Sequence, residues 1–213
     1  MAQENLNGIE PIEVEDNTKI LIGLRKKSDS TLLAVSKEQF VGYDMRSYSI
    51  DGIIVRNEDE GVDLLFTSRE SNATFGIGPE DIPETDKRRK KAPANPSFYE
   101  LDGYARTQWQ LNNHPDTHEQ GCAICEAVKF GWLPSNGEMT WAVERKDKFD
   151  EVADICNADL LNAGKYWCST QYDPDYMWCY NAESAAFEFW HSKSTSMSIR
   201  PVKSAADYKE VIV

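Results

Sequence analysis

An α+β fold is what this sequence predicts: two helices among short antiparallel strands, with a small β appendage at the N-terminus. Three observations carry that expectation. Apolar residues recur at helical spacing in two stretches, 117–130 and 139–158, and nowhere else as clearly. Short apolar runs bounded by polar turns lie before and after them. Between Tyr166 and His191, nine of the chain's 23 aromatic rings fall within 26 residues that contain no Lys, Arg or Gly.

Taken in order, residues 1–17 are acidic and polar and read as a loose leader. Thr18–Arg25 and Thr31–Val35 read as two strands around the turn Ser28-Asp-Ser30, and Ser36 caps a single helical turn ending at Phe40. Two isolated strands are marginal in water, so this hairpin calls for a partner chain or for the domain that follows. Residues 1–44 are accordingly assigned to a leader and β module, 45–205 to the main domain and 206–213 to a tail. Ser47–Val55 and Val62–Thr67 are apolar strands joined through the polar turn 56–61. Pro79–Ser97 holds four prolines and the basic run Lys87-Arg-Arg-Lys-Lys91, and reads as a long surface loop. After Leu160 the chain turns to short strands.

Composition restricts the function. A formal net charge of -13 excludes a partner held by phosphate contacts and an anionic membrane surface. No apolar run is long enough to span a bilayer, and Met1-Ala-Gln-Glu-Asn lacks the basic start and apolar core of an export signal. Without an export signal, the five cysteines are expected as thiols. Cys122-Ala-Ile-Cys125 has zinc or redox spacing but lacks a second ligand pair, so small buried residues are the expectation. His114 and His118 flank a helix-breaking Pro115, and Asp173-Pro-Asp175 offers too few oxygens for calcium. No nucleophile–base or carboxylate-pair constellation stands out, so no catalytic residue, metal or cofactor is expected.

Several segments together resemble bacterial C-type-lectin-like domains: Gly131-Trp-Leu-Pro-Ser-Asn-Gly-Glu138, Tyr166-Trp-Cys-Ser-Thr-Gln171, Trp178, Lys193 and Ile199-Arg-Pro-Val202. Asp51-Gly-Ile-Ile-Val55 and Leu101-Asp-Gly-Tyr-Ala-Arg-Thr107 resemble the family's earlier segments, and the resemblance spans about residues 45–203. It implies a C-type lectin fold, two helices packed on short antiparallel sheets. Within that frame Ser135 and Glu138 form a capping box, Trp132, Trp167 and Trp178 are core rings, and Arg200 ties the last strand to buried carbonyls. Formylglycine-generating enzymes are relatives of the same fold.

The C-terminal ribbon is also similar to the variable proteins of diversity-generating retroelements, which vary side chains on a constant scaffold. That likeness implies a receptor-recognition protein with no catalytic activity. The expected ligand-binding residues are Cys168, Gln171, Tyr172, Asp175, Tyr176, Cys179, Tyr180, Phe187, Phe189, Trp190, His191, Ser192, Ser194, Ser196 and Ser198. Tyr and Trp beside small polar residues are suited to recognition, combining rigid amphipathic area with adaptable hydrogen bonding. The expected ligand is a cell-surface protein or glycan; nucleic acid and membrane insertion are not expected. The expected setting is a phage tail or bacterial surface, with a homotrimer supplying the hairpin's partner. Two alternatives belong to other classes: a copper- or thiol-dependent oxidase using Cys168 and Cys179, and a structural pilus or virion subunit.

Overall fold

The N-terminal hairpin finds its partner within its own chain. In the computed structural model, which describes residues 16–68, 70–74, 100–113, 122–158, 160–161, 164–172 and 176–212, β1 (Lys19–Lys26) pairs on one side with β2 (Leu32–Val35). On the other side it pairs with β3 (Tyr48–Asn57), from Lys19 opposite Arg56 to Lys26 opposite Tyr48. β4 (Val62–Thr67) continues the sheet, β10 (Val202–Ser204) closes one edge, and β11 (Lys209–Glu210) adds in parallel at the other. The result is a six-stranded mixed sheet in the order β10-β4-β3-β1-β2-β11.

A second sheet of five strands, in the order β5-β9-β6-β7-β8, is built mainly from the C-terminal part of the chain. Its strands are β5 (Ser71–Thr74), β6 (Lys165–Gln171), β7 (Tyr176–Asn181), β8 (Ala186–Ser192) and β9 (Ser196–Ile199). All neighbours are antiparallel except β6 and β9. The described helices are short: α1 (Lys37–Phe40), α2 (Gly103–Asn113), α3 (Ala123–Ala127), α4 (Asn136–Val143) and α5 (Lys146–Ile155).

Alternation along the strands sorts the apolar side chains into layers. Ile22, Leu24, Ile53, Val55 and Phe66 on one face of the six-stranded sheet share a core with Met139 and Ala142 of α4 and with Phe149 and Val152 of α5. Tyr166, Cys168, Trp178 and Tyr180 of the five-stranded sheet complete that core. Both sheets thus meet in one core, with α4 packed on β6 and β7 and α5 on β1 and β3. The far face of the five-stranded sheet buries Trp167, Met177 and Cys179 against Ile124 and Ala127 of α3. The far face of the six-stranded sheet buries Leu21, Ile54 and Leu65 under Ala205 and Tyr208. Gly52 is required where β3 meets β4, because a Cβ there would stand 1.9 Å from the Phe66 carbonyl oxygen.

This architecture overturns the expected fold. Among the described residues the fold is mostly β-sheet, with 11 strands in two mixed sheets and short helices, rather than a lectin-like pair of helices on short antiparallel sheets. The N-terminal β module is no appendage either, since β1 lies inside the larger sheet with Ile22 and Leu24 fully buried. Its partner is β3, which removes the structural reason for invoking a trimer. The residues assigned to a tail are likewise built in: Arg56 donates to the Tyr208 carbonyl at 3.2 Å, and β11 pairs with β2.

Local expectations fare differently. Ser135 and Glu138 form the capping box of α4: the Ser135 hydroxyl accepts from the Glu138 amide at 3.2 Å, and the Glu138 carboxylate accepts from the Ser135 amide at 2.9 Å. The helical pattern over 139–158 divides into α4 and α5 at Glu144–Arg145, where the Arg145 guanidinium lies over the Trp141 ring at 4.3 Å. The pattern over 117–130 contains α3, with Cys122 as its N-cap. Helix α2 escapes apolar periodicity because Arg106, Thr107 and Gln110 are among its buried residues. The prolines and basic run of 79–97, His114 and His118, and Asp173-Pro-Asp175 lie outside the described residues.

Candidate functional site

β8 is an edge strand of the five-stranded sheet, hydrogen-bonded to β7 on one side. Its pairing with β7 is interrupted: Cys179 stands opposite Glu188 and Met177 opposite His191, so β8 spends three steps where β7 spends two. This is a β-bulge, and its consequence is directional. Without it, residues 188 and 191 would face opposite sides of the sheet, because side chains alternate with a period of two. With it, Glu188 and His191 both turn toward the face that carries Cys179.

On that face Glu188 is the hub. Its carboxylate accepts from the Lys165 ammonium at 2.7 Å and from the Asn181 side-chain amide at 2.8 Å, and one of its oxygens lies 2.7 Å from His191 Nε2. Lys165 Nζ is also 3.0 Å from the same His191 nitrogen. Burial alone would raise the Glu188 pKa, but hydrogen bonds from Lys165, Asn181 and His191 hold it down at about 2. Beside it, burial and the Glu188 charge push the Cys179 thiol up to about 12. An open recess of about 410 Å³ adjoins the cluster, lined by Lys165, His191, Thr195, Ser196, Met197 and Ser198.

The opposite face of the same strands is aromatic. Tyr172 stacks on Phe189 with ring centroids 4.1 Å apart, and Phe189 meets Trp178 edge-on at 5.1 Å. Tyr172, Phe187 and Phe189 are half-buried against the core, and Tyr176 is exposed at 36%.

The sheet thus divides the expected ligand-binding residues. Cys168, Gln171, Cys179 and Tyr180 are buried at 2% exposure or less, which corrects the expectation that they are displayed to a partner. The reason is that β6 and β7 are inner strands covered on both faces, so alternation has no solvent side to offer. Tyr172, Phe187, Phe189, His191, Ser192 and Ser198 are half-buried, while Tyr176, Ser194 and Ser196 are exposed. Asp175 lies outside the described residues; Trp190 belongs to β8, but its side chain is not described.

Cys168 and Cys179 do not form the pair that the oxidase alternative requires. Cys179 pairs with Trp167, and the two thiols sit in different clusters on opposite faces of the sheet. Sequence reasoning missed Lys165 and Glu188. A signal for the second was present: Glu188 is the one charged residue between the two phenylalanines of an otherwise apolar run.

No family model matches this chain, and neither does any curated protein. A solved structure that is similar to it is a fimbrial protein from Bacteroides ovatus ATCC 8483, with 14% sequence identity and a TM-score of 0.44. The alignment covers 66% of this chain but 35% of that protein, so this chain spans about a third of its length. A likeness at this level does not define a shared fold.

Proposed function

We propose that this chain is a non-catalytic subunit of a surface or structural assembly, and that it engages another polypeptide along the outer edge of β8. The observation that carries the reading is the edge itself. Seven residues, Ala186–Ser192, line one side of the sheet with no strand beyond them among the described residues. An added strand would extend the sheet by backbone hydrogen bonds, with side-chain pockets setting the choice of partner. The half-buried Tyr172, Phe187 and Phe189 and the exposed Tyr176 offer aromatic area beside that edge, of the kind that anchors interfaces.

The chemistry of the polar face supports association over catalysis. A thiol raised by burial is a poor nucleophile, and a carboxylate held low by three partners is a poor proton donor or acceptor near neutral pH. Photocrosslinking residues installed at Tyr176 and Ala186, in cells that make the protein, test the reading. Crosslinks to one discrete polypeptide at both positions, absent from a control at Glu58 in the turn between β3 and β4, are the expected result. Equal labelling at Glu58, or no crosslink from either position, rejects it.

A further inference from the structure

We infer that Cys179, Glu188 and His191 form a binding site for a zinc-class transition metal ion, whose place the Lys165 ammonium takes in the metal-free chain. The inference does not depend on the docking role of the β8 edge. One sulfur, one carboxylate oxygen and one ring nitrogen of these residues all lie within 4.8 Å of one another. That donor set, thiolate with imidazole and carboxylate, suits zinc and its neighbours rather than the hard cations magnesium and calcium. The residues come from two adjacent strands, and the β-bulge is what brings His191 onto the Glu188 face.

The proton bookkeeping at His191 Nε2 is the second argument. The same nitrogen lies 2.7 Å from the Glu188 carboxylate and 3.0 Å from the Lys165 ammonium. If Nε2 carries a proton it can donate to Glu188, but it then turns that proton toward a cation. If Nε2 is bare it can accept from Lys165, but its lone pair then faces a carboxylate oxygen. Either tautomer leaves one short contact between like partners. A metal ion at the position of Lys165 Nζ would accept both lone pairs and remove the conflict.

The surroundings fit such an ion. The Asn181 amide holds the second Glu188 oxygen at 2.8 Å, which orients the carboxylate in the way outer partners orient metal ligands. Lys165 keeps 34% of its side chain exposed, so it has room to leave for solvent as the protonated ammonium. The open recess beside it provides an entry path and space for water as a fourth ligand. Binding converts the neutral Cys179 thiol and a divalent ion into a metal thiolate and one proton, which passes to buffer.

Titration with cobalt(II) and with zinc(II) tests the site, in protein carrying Cys122→Ser and Cys125→Ser so that the other close thiols cannot supply sulfur. One ion per chain is expected, with a sulfur-to-cobalt charge-transfer band in the near ultraviolet that Cys179→Ser abolishes. His191→Ala and Glu188→Gln each weaken binding by about tenfold or more, in line with the loss of one ligand. Lys165→Ala strengthens it by roughly tenfold, because a competing cation is gone; a merely structural salt bridge would not produce that gain. Circular dichroism on each variant confirms folding. The assignment is overturned if no charge-transfer band forms, if His191→Ala leaves affinity unchanged, or if Lys165→Ala fails to increase it.

Discussion

Arg200 has its guanidinium almost wholly enclosed, at 1% exposure. It donates to the Leu160 carbonyl at 2.9 Å and the Thr67 carbonyl at 3.1 Å and pairs with Glu70, so one side chain joins three segments far apart in sequence. Replacing it with Met keeps most of the apolar stem but leaves buried acceptors without a donor, and is expected to lower stability by about 3 kcal/mol in urea titration. Glu138 makes a different demand. Burial, the largest influence, lifts its pKa to about 7, although the Ser135 amide and the Trp132 indole both donate to it. Because the folded value lies above the unfolded one of 4.5, the folded state holds the extra proton between them. The associated stability is complete below that unfolded value and is lost as pH rises through about 7. Unfolding free energy should fall by on the order of 3 kcal/mol across this window, and Glu138→Gln should flatten the fall. Asp16, held near 2 chiefly by its hydrogen bond from Arg145, titrates in a separate acidic window.

Single elements owe their boundaries to short-range chemistry. Helix α4 begins where Ser135 and Glu138 satisfy each other's backbone amides, and the Ser135 hydroxyl also donates to the Glu100 carbonyl at 2.7 Å. Ser135→Ala should therefore cost about 1 to 2 kcal/mol, measured by thermal or urea unfolding, with Ser135→Thr recovering much of the loss. Gly103 packs against this cap: a Cβ there would fall 2.2 Å from the Glu138 carboxylate and 2.7 Å from the Leu133 carbonyl oxygen. The capping box was legible because its residues lie three apart and need no tertiary partner. Helix α2 was not, because its buried face includes Arg106, Thr107 and Gln110 in place of an apolar stripe. The bulge in β8 was equally hidden. Glu188 and His191 stand at a spacing that reads as opposite faces, and the pairing with β7 alone reveals that they share one.

Across the whole molecule, β1 decides what can fold alone. It lies between β3 and β2, and its Ile22 and Leu24 are fully buried in the core that also holds α4, α5 and the second sheet. A fragment starting at residue 45 loses that strand and exposes Ile53 and Val55; it should show no cooperative thermal transition by circular dichroism, whereas the full chain should show one. A cooperative melt of the shorter fragment would contradict the shared core. By itself the sequence determined the caps and the first four strands, which follow from local spacing and side-chain chemistry, while the burial of Trp167 and Trp178 and the anchoring by Arg200 were what the family resemblance implied. Tertiary structure alone decided that the N-terminal strands join the main sheet and that the aromatic ribbon splits between two faces. It also decided that Lys165, Glu188 and His191 converge. These are matters of strand partner and register, and a strand's own residues specify which sides alternate but not which neighbour covers them.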